Sequence, residues 1–164
     1  MKLILSIITV LCLVFMLGCG TKSVVAPIVK KMYSATIKVE SYVIEASATN
    51  LVTKLQKVDT TLTVVGKALD FIATKVKDEK AKTNIELAAN TITEIVTAIS
   101  TIDVLKIDET KILILQKLDI AKNAIEEVAK WLKIPLDAVE AAGVVAITAE
   151  HLDAITAELE AELK

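Results

Sequence analysis

The chain opens on a charge-free, largely apolar run, Leu3 to Leu17, and then settles into apolar positions spaced three and four residues apart almost to its end. Ile28, Met32, Ala35, Val39, Tyr42 and Ala46 form the first such stripe, the pattern of an α-helix with one buried face. The phase slips at Ser47-Ala48-Thr49-Asn50, and a second register runs Leu51, Leu55, Val58, Leu62, Val65, Leu69, Ile72, Val76. Its regular alternation of four and three is the signature of a helix packed against other helices, as in a coiled coil. The β-branched stretch Thr60 to Val65 has strand propensity, but the helical register holds on both sides of it. The pattern leaves open whether residues 28–76 are one kinked helix or two.

A charged segment, Lys77 to Lys82, reads as a turn, and Thr83-Asn84-Ile85-Glu86 has the spacing of a capping box. Ile85, Ala88, Ile92, Ile95, Ile99 and Ile102 make the next stripe. Asp103 to Asp108 interrupts it, with Asp108 placed to cap a following helix that carries Leu115, Leu118, Ala121, Ile125, Val128 and Leu132, flanked by Trp131. Ile134-Pro135 marks a boundary, since proline disfavours helix in the residue before it. A last helix is expected from Pro135 to near the C-terminus, with Leu136, Val139, Val145, Leu152, Ile155, Leu159 and Leu163 on its apolar side. The uncharged run Ala141 to Ala149 is too short to span a bilayer and reads as a buried packing segment.

Four or five helices with short connections predict an all-α, antiparallel bundle. Composition agrees: 54% of residues are hydrophobic, only 3% are aromatic, and there are four glycines and two prolines. Charge suggests a pairing. Residues 20–57 hold six lysines and two acids, whereas residues 135–164 hold one lysine and seven acids. Opposite charge favours contact between the first and last helices, although exposed ion pairs contribute only ~0–1 kcal/mol each.

The N-terminal run is different in kind. Lys2, the apolar residues Leu3 to Leu17 and the small residues after them are the parts of an export signal. The run from Leu3 is about fifteen residues long before the glycines, short of the roughly 17–25 needed to cross a bilayer, which weakens the competing transmembrane reading. It closes on Met16-Leu17-Gly18-Cys19, which resembles the lipobox of bacterial lipoproteins. Met16 and Leu17 depart from the residues usual in that motif; Gly18 and Cys19 match it. The resemblance covers the first twenty residues alone. It implies removal of residues 1–18 and acylation of Cys19; the rest of the chain reads, from its own pattern, as a short tether over residues 19–27 and a bundle domain over residues 28–164. Two or more acyl chains give stable membrane attachment where one does not. Gly20 stands where an aspartate would resemble an inner-membrane retention signal. The implied location is therefore an outer membrane in a Gram-negative host, and otherwise the outer face of the plasma membrane.

The same processing leaves 146 residues, enough for one domain with a substantial core. Both cysteines, Cys12 and Cys19, lie in the targeting segment, so no disulfide and no free thiol is expected in the body. All nineteen basic residues are lysine. A negative net charge without arginine argues against nucleic-acid binding.

Candidate chemistry is sparse. His151 is the sole histidine, residue 148 is a threonine where a Glu-x-x-His metal motif needs glutamate, and no Cys/His cluster or glycine-rich loop is present. Neighbouring acids such as Glu126-Glu127 and Asp78-Glu79 diverge by about 100° on a helix. Trp131, Tyr33 and Tyr42 suit closing the core at least as well as anchoring a partner, and no functional role is assigned to them. No cofactor, metal or catalytic set is therefore expected. The sequence points to a lipid-anchored, non-catalytic interaction or structural protein of the bacterial envelope, held to the membrane through Cys19 and facing an envelope or surface protein. The alternative is a membrane-active, toxin-like or lipid-sensing helical protein.

Overall fold

The computed structural model describes the backbone of residues 2–47, 49–136 and 146–164, and within them the side chains from residue 23 on, Val104 excepted. Among the described residues are five α-helices and one short 3-10 turn, and no strand. They are α1 (Lys2–Ile44), α2 (Leu51–Lys75), α3 (Glu79–Ser100), the turn Val104–Lys106, α4 (Ile107–Trp131) and α5 (Ala149–Glu162). The protein is an all-α helical bundle.

Helices α1 to α4 pack as a ring in chain order, α4 closing back on α1, and α5 lies against α1 and α2. First and last helices are thus neighbours, as the charge distribution suggests, but α5 covers the α1–α2 pair from outside the ring. Helix α1 meets three other helices, and its buried face is correspondingly wide. Beside the expected stripe it buries Val25, Val29, Tyr33, Thr36 and Val43.

The α2 register is buried throughout, from Leu51 at 0% exposure to Val76 at 4%. In α3, Ile85, Ala88, Ile92, Ile95 and Ile99 are buried, with Ile102 partly so. Helix α4 buries Ile114, Leu118, Ala121, Ala124, Ile125, Val128 and Ala129, while Leu115 and Leu132 sit at the margin.

Residues 45–50 separate α1 from α2, so the span 28–76 holds two helices. Asn50 makes the break: its Oδ1 accepts the Ser47 N–H at 2.9 Å, closing a local turn in place of a helical hydrogen bond.

Three helix starts differ from those predicted. The capping box expected at Thr83 lies inside α3, where Thr83 donates its hydroxyl to the Glu79 carbonyl. The cap is Asp78, whose carboxylate accepts the Ala81 N–H at 2.9 Å. Starting earlier lets Ala81 join Ile85 and Ala88 in the core, and aspartate caps as well as threonine. Asp108 does not cap α4. It occupies the first turn with Glu109, a favourable place for acids beside the positive helix end. Asp103 does the local capping, accepting the Leu105 N–H at 3.0 Å to hold the 3-10 turn.

The last helix begins at Ala149 rather than Pro135, because residues 146–148 are irregular. Val139, Val145 and the run 141–145 lie outside the described residues. Ile147 and Leu152, which flank the Thr148 cap as a hydrophobic staple would, are both buried.

Candidate functional site: the helix that carries Cys19 and the far end of the bundle

Cys19 lies on α1, and the helical backbone passes without interruption from there into the core. The residues expected as a tether, 19–27, have helical backbone. Val25 is already buried at 1% exposure, in register with Ile28, Val29 and Met32. Pro27, expected in a first turn, stands inside the helix. Its fixed φ suits helix, and its lack of an N–H removes one backbone bond. At a rise of 1.5 Å per residue, Ile44 lies up to ~38 Å along the axis from Cys19. Helices α2 and α4 start, and α3 ends, near that far end.

Helix ends inside the bundle are closed by lysines from other helices. Neither α1 nor α5 has a basic residue in its last turn. Lys111 of α4 donates to the carbonyls of Ile44 and Ala46 at 2.9 and 2.7 Å. Lys54 of α2 reaches the Tyr42 carbonyl at 3.3 Å while its ammonium sits 4.3 Å from the Tyr42 ring centre. Lys31 of α1 donates to the Glu158 carbonyl at 3.4 Å and the Glu162 carboxylate at 2.7 Å, so α1 serves α5 in turn. These cations meet the negative ends of the helix dipoles.

Ion pairs follow the same interfaces. Lys57 pairs with Asp153 across α2–α5 at 2.6 Å, Lys117 with Glu94 across α3–α4, and Lys122 with Glu40 across α1–α4 at 2.8 Å. Partial burial opposes the Lys122 charge, but the hydrogen bond and charge of Glu40, joined by Asp119, outweigh it. Its pKa is raised above the ordinary lysine value.

The residues weighed for chemistry have structural places. His151 is exposed, and its Nδ1 accepts the Thr148 N–H at 3.1 Å, completing a capping box for α5. That places its proton on Nε2 when the ring is neutral. Glu126 and Glu127 diverge around α4 yet both reach Lys130, at 2.9 and 2.8 Å, and hold that ammonium well above the usual lysine range. Tyr33 and Tyr42 are buried in the core, and Trp131 is 45% exposed with Lys80 over its ring at 4.5 Å. Among the described residues no three His, Cys, Asp or Glu side chains gather as metal ligands.

Two surface features stand out. On the outer side of α4 and the turn before it, Leu105 is 94%, Ile112 57% and Ile120 44% exposed. At the end of the bundle remote from Cys19, a crevice of about 350 Å³ opens between the start of α2 and the end of α3. Val52, Leu55, Ile99 and Ile102 form its apolar walls, and Gln56, Asp59 and Ser100 are its polar groups. Asp59 Oδ1 is buried and has no hydrogen-bond partner within the protein. Sequence reasoning passes over Asp59, although its place one residue after the buried Val58 already sets it at the edge of the core face.

No protein-family model, curated protein or solved structure matches the chain. Among the described residues, no helix is long and apolar enough to cross a membrane.

Proposed function

We propose that the chain is a lipid-anchored, non-catalytic protein of the bacterial cell envelope, which holds a helical bundle surface at the membrane for an envelope or surface partner. The observation that carries this reading is the Gly18-Cys19 ending of the apolar run Leu3 to Leu17, which before its glycines is shorter than a bilayer-spanning helix. Residues 1–18 are removed, and the acylated Cys19 becomes the first residue of the mature chain, on the outer membrane of a Gram-negative host or otherwise the outer face of the plasma membrane. The only histidine, His151, serves as a helix cap. The continuous α1 backbone adds a geometric consequence: a helix rooted at Cys19 can carry the far end of the bundle tens of ångströms from the lipid. Confinement of this kind raises the effective concentration of the exposed end against other envelope proteins.

Metabolic labelling with palmitate and mass analysis of the N-terminus test the reading. The expected product begins at a diacylglyceryl-modified Cys19 and disappears in Cys19→Ala. An unmodified Cys19 on a chain that retains Met1 overturns it.

The exposed apolar side chains of Leu105, Ile112 and Ile120 favour a second reading, a membrane-active helical protein that applies this face to a bilayer. Dye release from phospholipid vesicles separates the two. Leakage that grows with protein concentration and falls in Ile112→Ser/Ile120→Ser supports the second reading, and intact vesicles support the first.

A further inference from the structure

The crevice between α2 and α3 joins two features that rarely coincide on an otherwise solvated bundle surface. One is an apolar wall of Val52, Leu55, Ile99 and Ile102; the other is a carboxylate oxygen, Asp59 Oδ1, buried without a partner. Buried polar atoms are almost always paired, because an unmet acceptor forfeits its hydration without replacement. The two lysines of α2 that precede Asp59 most closely are engaged elsewhere. Lys57, two residues before Asp59, pairs with Asp153 of α5, and Lys54 is drawn to Tyr42 of α1. Among the described residues no ion pair includes Asp59.

The other polar groups suit the same guest. The Ser100 hydroxyl spends its one proton on the Val96 carbonyl, at 2.9 Å, so toward the crevice it offers lone pairs. The Gln56 amide supplies a further carbonyl oxygen. An acceptor-rich mouth with one negative charge calls for a compact cation bearing several donors, and the aliphatic walls call for an apolar stem behind it. At about 350 Å³ the space lies at the small end of ligand pockets, which run from roughly 300 to 1,000 Å³.

We propose that this crevice binds an alkylammonium group, its head on Asp59 and its aliphatic stem along Val52, Leu55, Ile99 and Ile102. The group is either a free small amine or the side chain of a partner's lysine. The proposal goes beyond the anchoring role and does not depend on acylation of Cys19.

Titration of the purified full chain with n-pentylamine, followed by the amide resonances of residues 52–59 and 99–102, tests it. Saturable shifts confined to those residues are expected, with n-pentanol binding about tenfold more weakly. Asp59→Asn should lose about the same factor for the amine, leave the alcohol unchanged, and melt no lower than the wild type. Val52→Trp, a change at the exposed rim, should block both probes while leaving the carboxylate in place. Nα-acetyl-lysine methylamide distinguishes the sources: binding comparable to pentylamine assigns the crevice to a partner's lysine, and binding of pentylamine alone assigns it to a free amine. Equal pentylamine affinity in Asp59→Asn, equal binding of the alcohol, or shifts centred elsewhere would overturn the proposal.

Discussion

Thr61 of α2 and Thr156 of α5 meet through their hydroxyls at 2.9 Å, both buried. A hydroxyl has one proton to give. Thr156 lies 2.6 Å from the Leu152 carbonyl, while Thr61 lies 3.3 Å from that of Lys57. The consistent arrangement is a relay in which Thr61 donates to Thr156 and Thr156 donates to Leu152. Helix α5 buries only Leu152, Ile155, Thr156 and Leu159, so this one directional bond does much to set its register on the bundle.

Thr156→Val should therefore cost about 1 kcal/mol and loosen α5 in particular. Hydrogen exchange is the measurement: α5 amides should lose protection while those of α3 keep it. Uniform loss across all helices would show that α5 does not open separately.

Leu62 stands fully buried in the middle of the α2 stripe. Leu62→Asp places an unpaired charge there, at a cost of several kcal/mol. Chemical denaturation should find the variant largely unfolded or far less stable, and unchanged stability would show that the stripe is not a core.

Gly66 occupies the interior of α2, where glycine sacrifices backbone entropy without a conformational need. A Cβ added there would meet Ile92 Cγ2 at 3.8 Å, an ordinary van der Waals contact. Gly66→Ala should stabilise the protein by about 0.5–1 kcal/mol, seen as a higher denaturation midpoint at constant slope.

Helix α4 ends in a Schellman motif: the Ile134 N–H bonds the Ala129 carbonyl at 2.8 Å and the Lys133 N–H bonds that of Lys130 at 3.0 Å. Lys133 takes the left-handed position, φ 55°, that glycine fills without strain. Lys133→Gly should raise stability by roughly 0.5–1 kcal/mol, and a lower melting temperature would contradict this account of the stop signal.

Lys122 gives the bundle a pH dependence on the alkaline side. Its folded pKa lies above the reference 10.5, so its contribution is complete below that value and is lost as pH rises through the raised one. The pair keeps some contact with solvent, which limits the effect to about 1 kcal/mol or less. Stability measured across the range from about pH 9 to above 11 should fall more steeply in the wild type than in Lys122→Met. Parallel curves would place the α1–α4 pair outside the stability balance.

What the sequence by itself determined is the set of buried faces. Apolar spacing of three and four is a direct imprint of helix geometry on burial, and the stripes from Ile28 to Ala46, Leu51 to Val76 and Ile85 to Ile99 are buried at every position they name. Ring closure, the break at Asn50 and the starts of α3, α4 and α5 depended on the tertiary structure. Several capping side chains compete within a few residues, and the winner is the one whose helix brings another residue into the core, as Asp78 does for Ala81. Only the fold could show that Lys111 closes α1, that His151 is a cap, and that Asp59 is left without a partner beside the crevice. Each is a fact about polar groups brought together, or left alone, by packing. Periodicity records which side of a helix avoids water, and it carries no record of which distant atom a buried charge will find there.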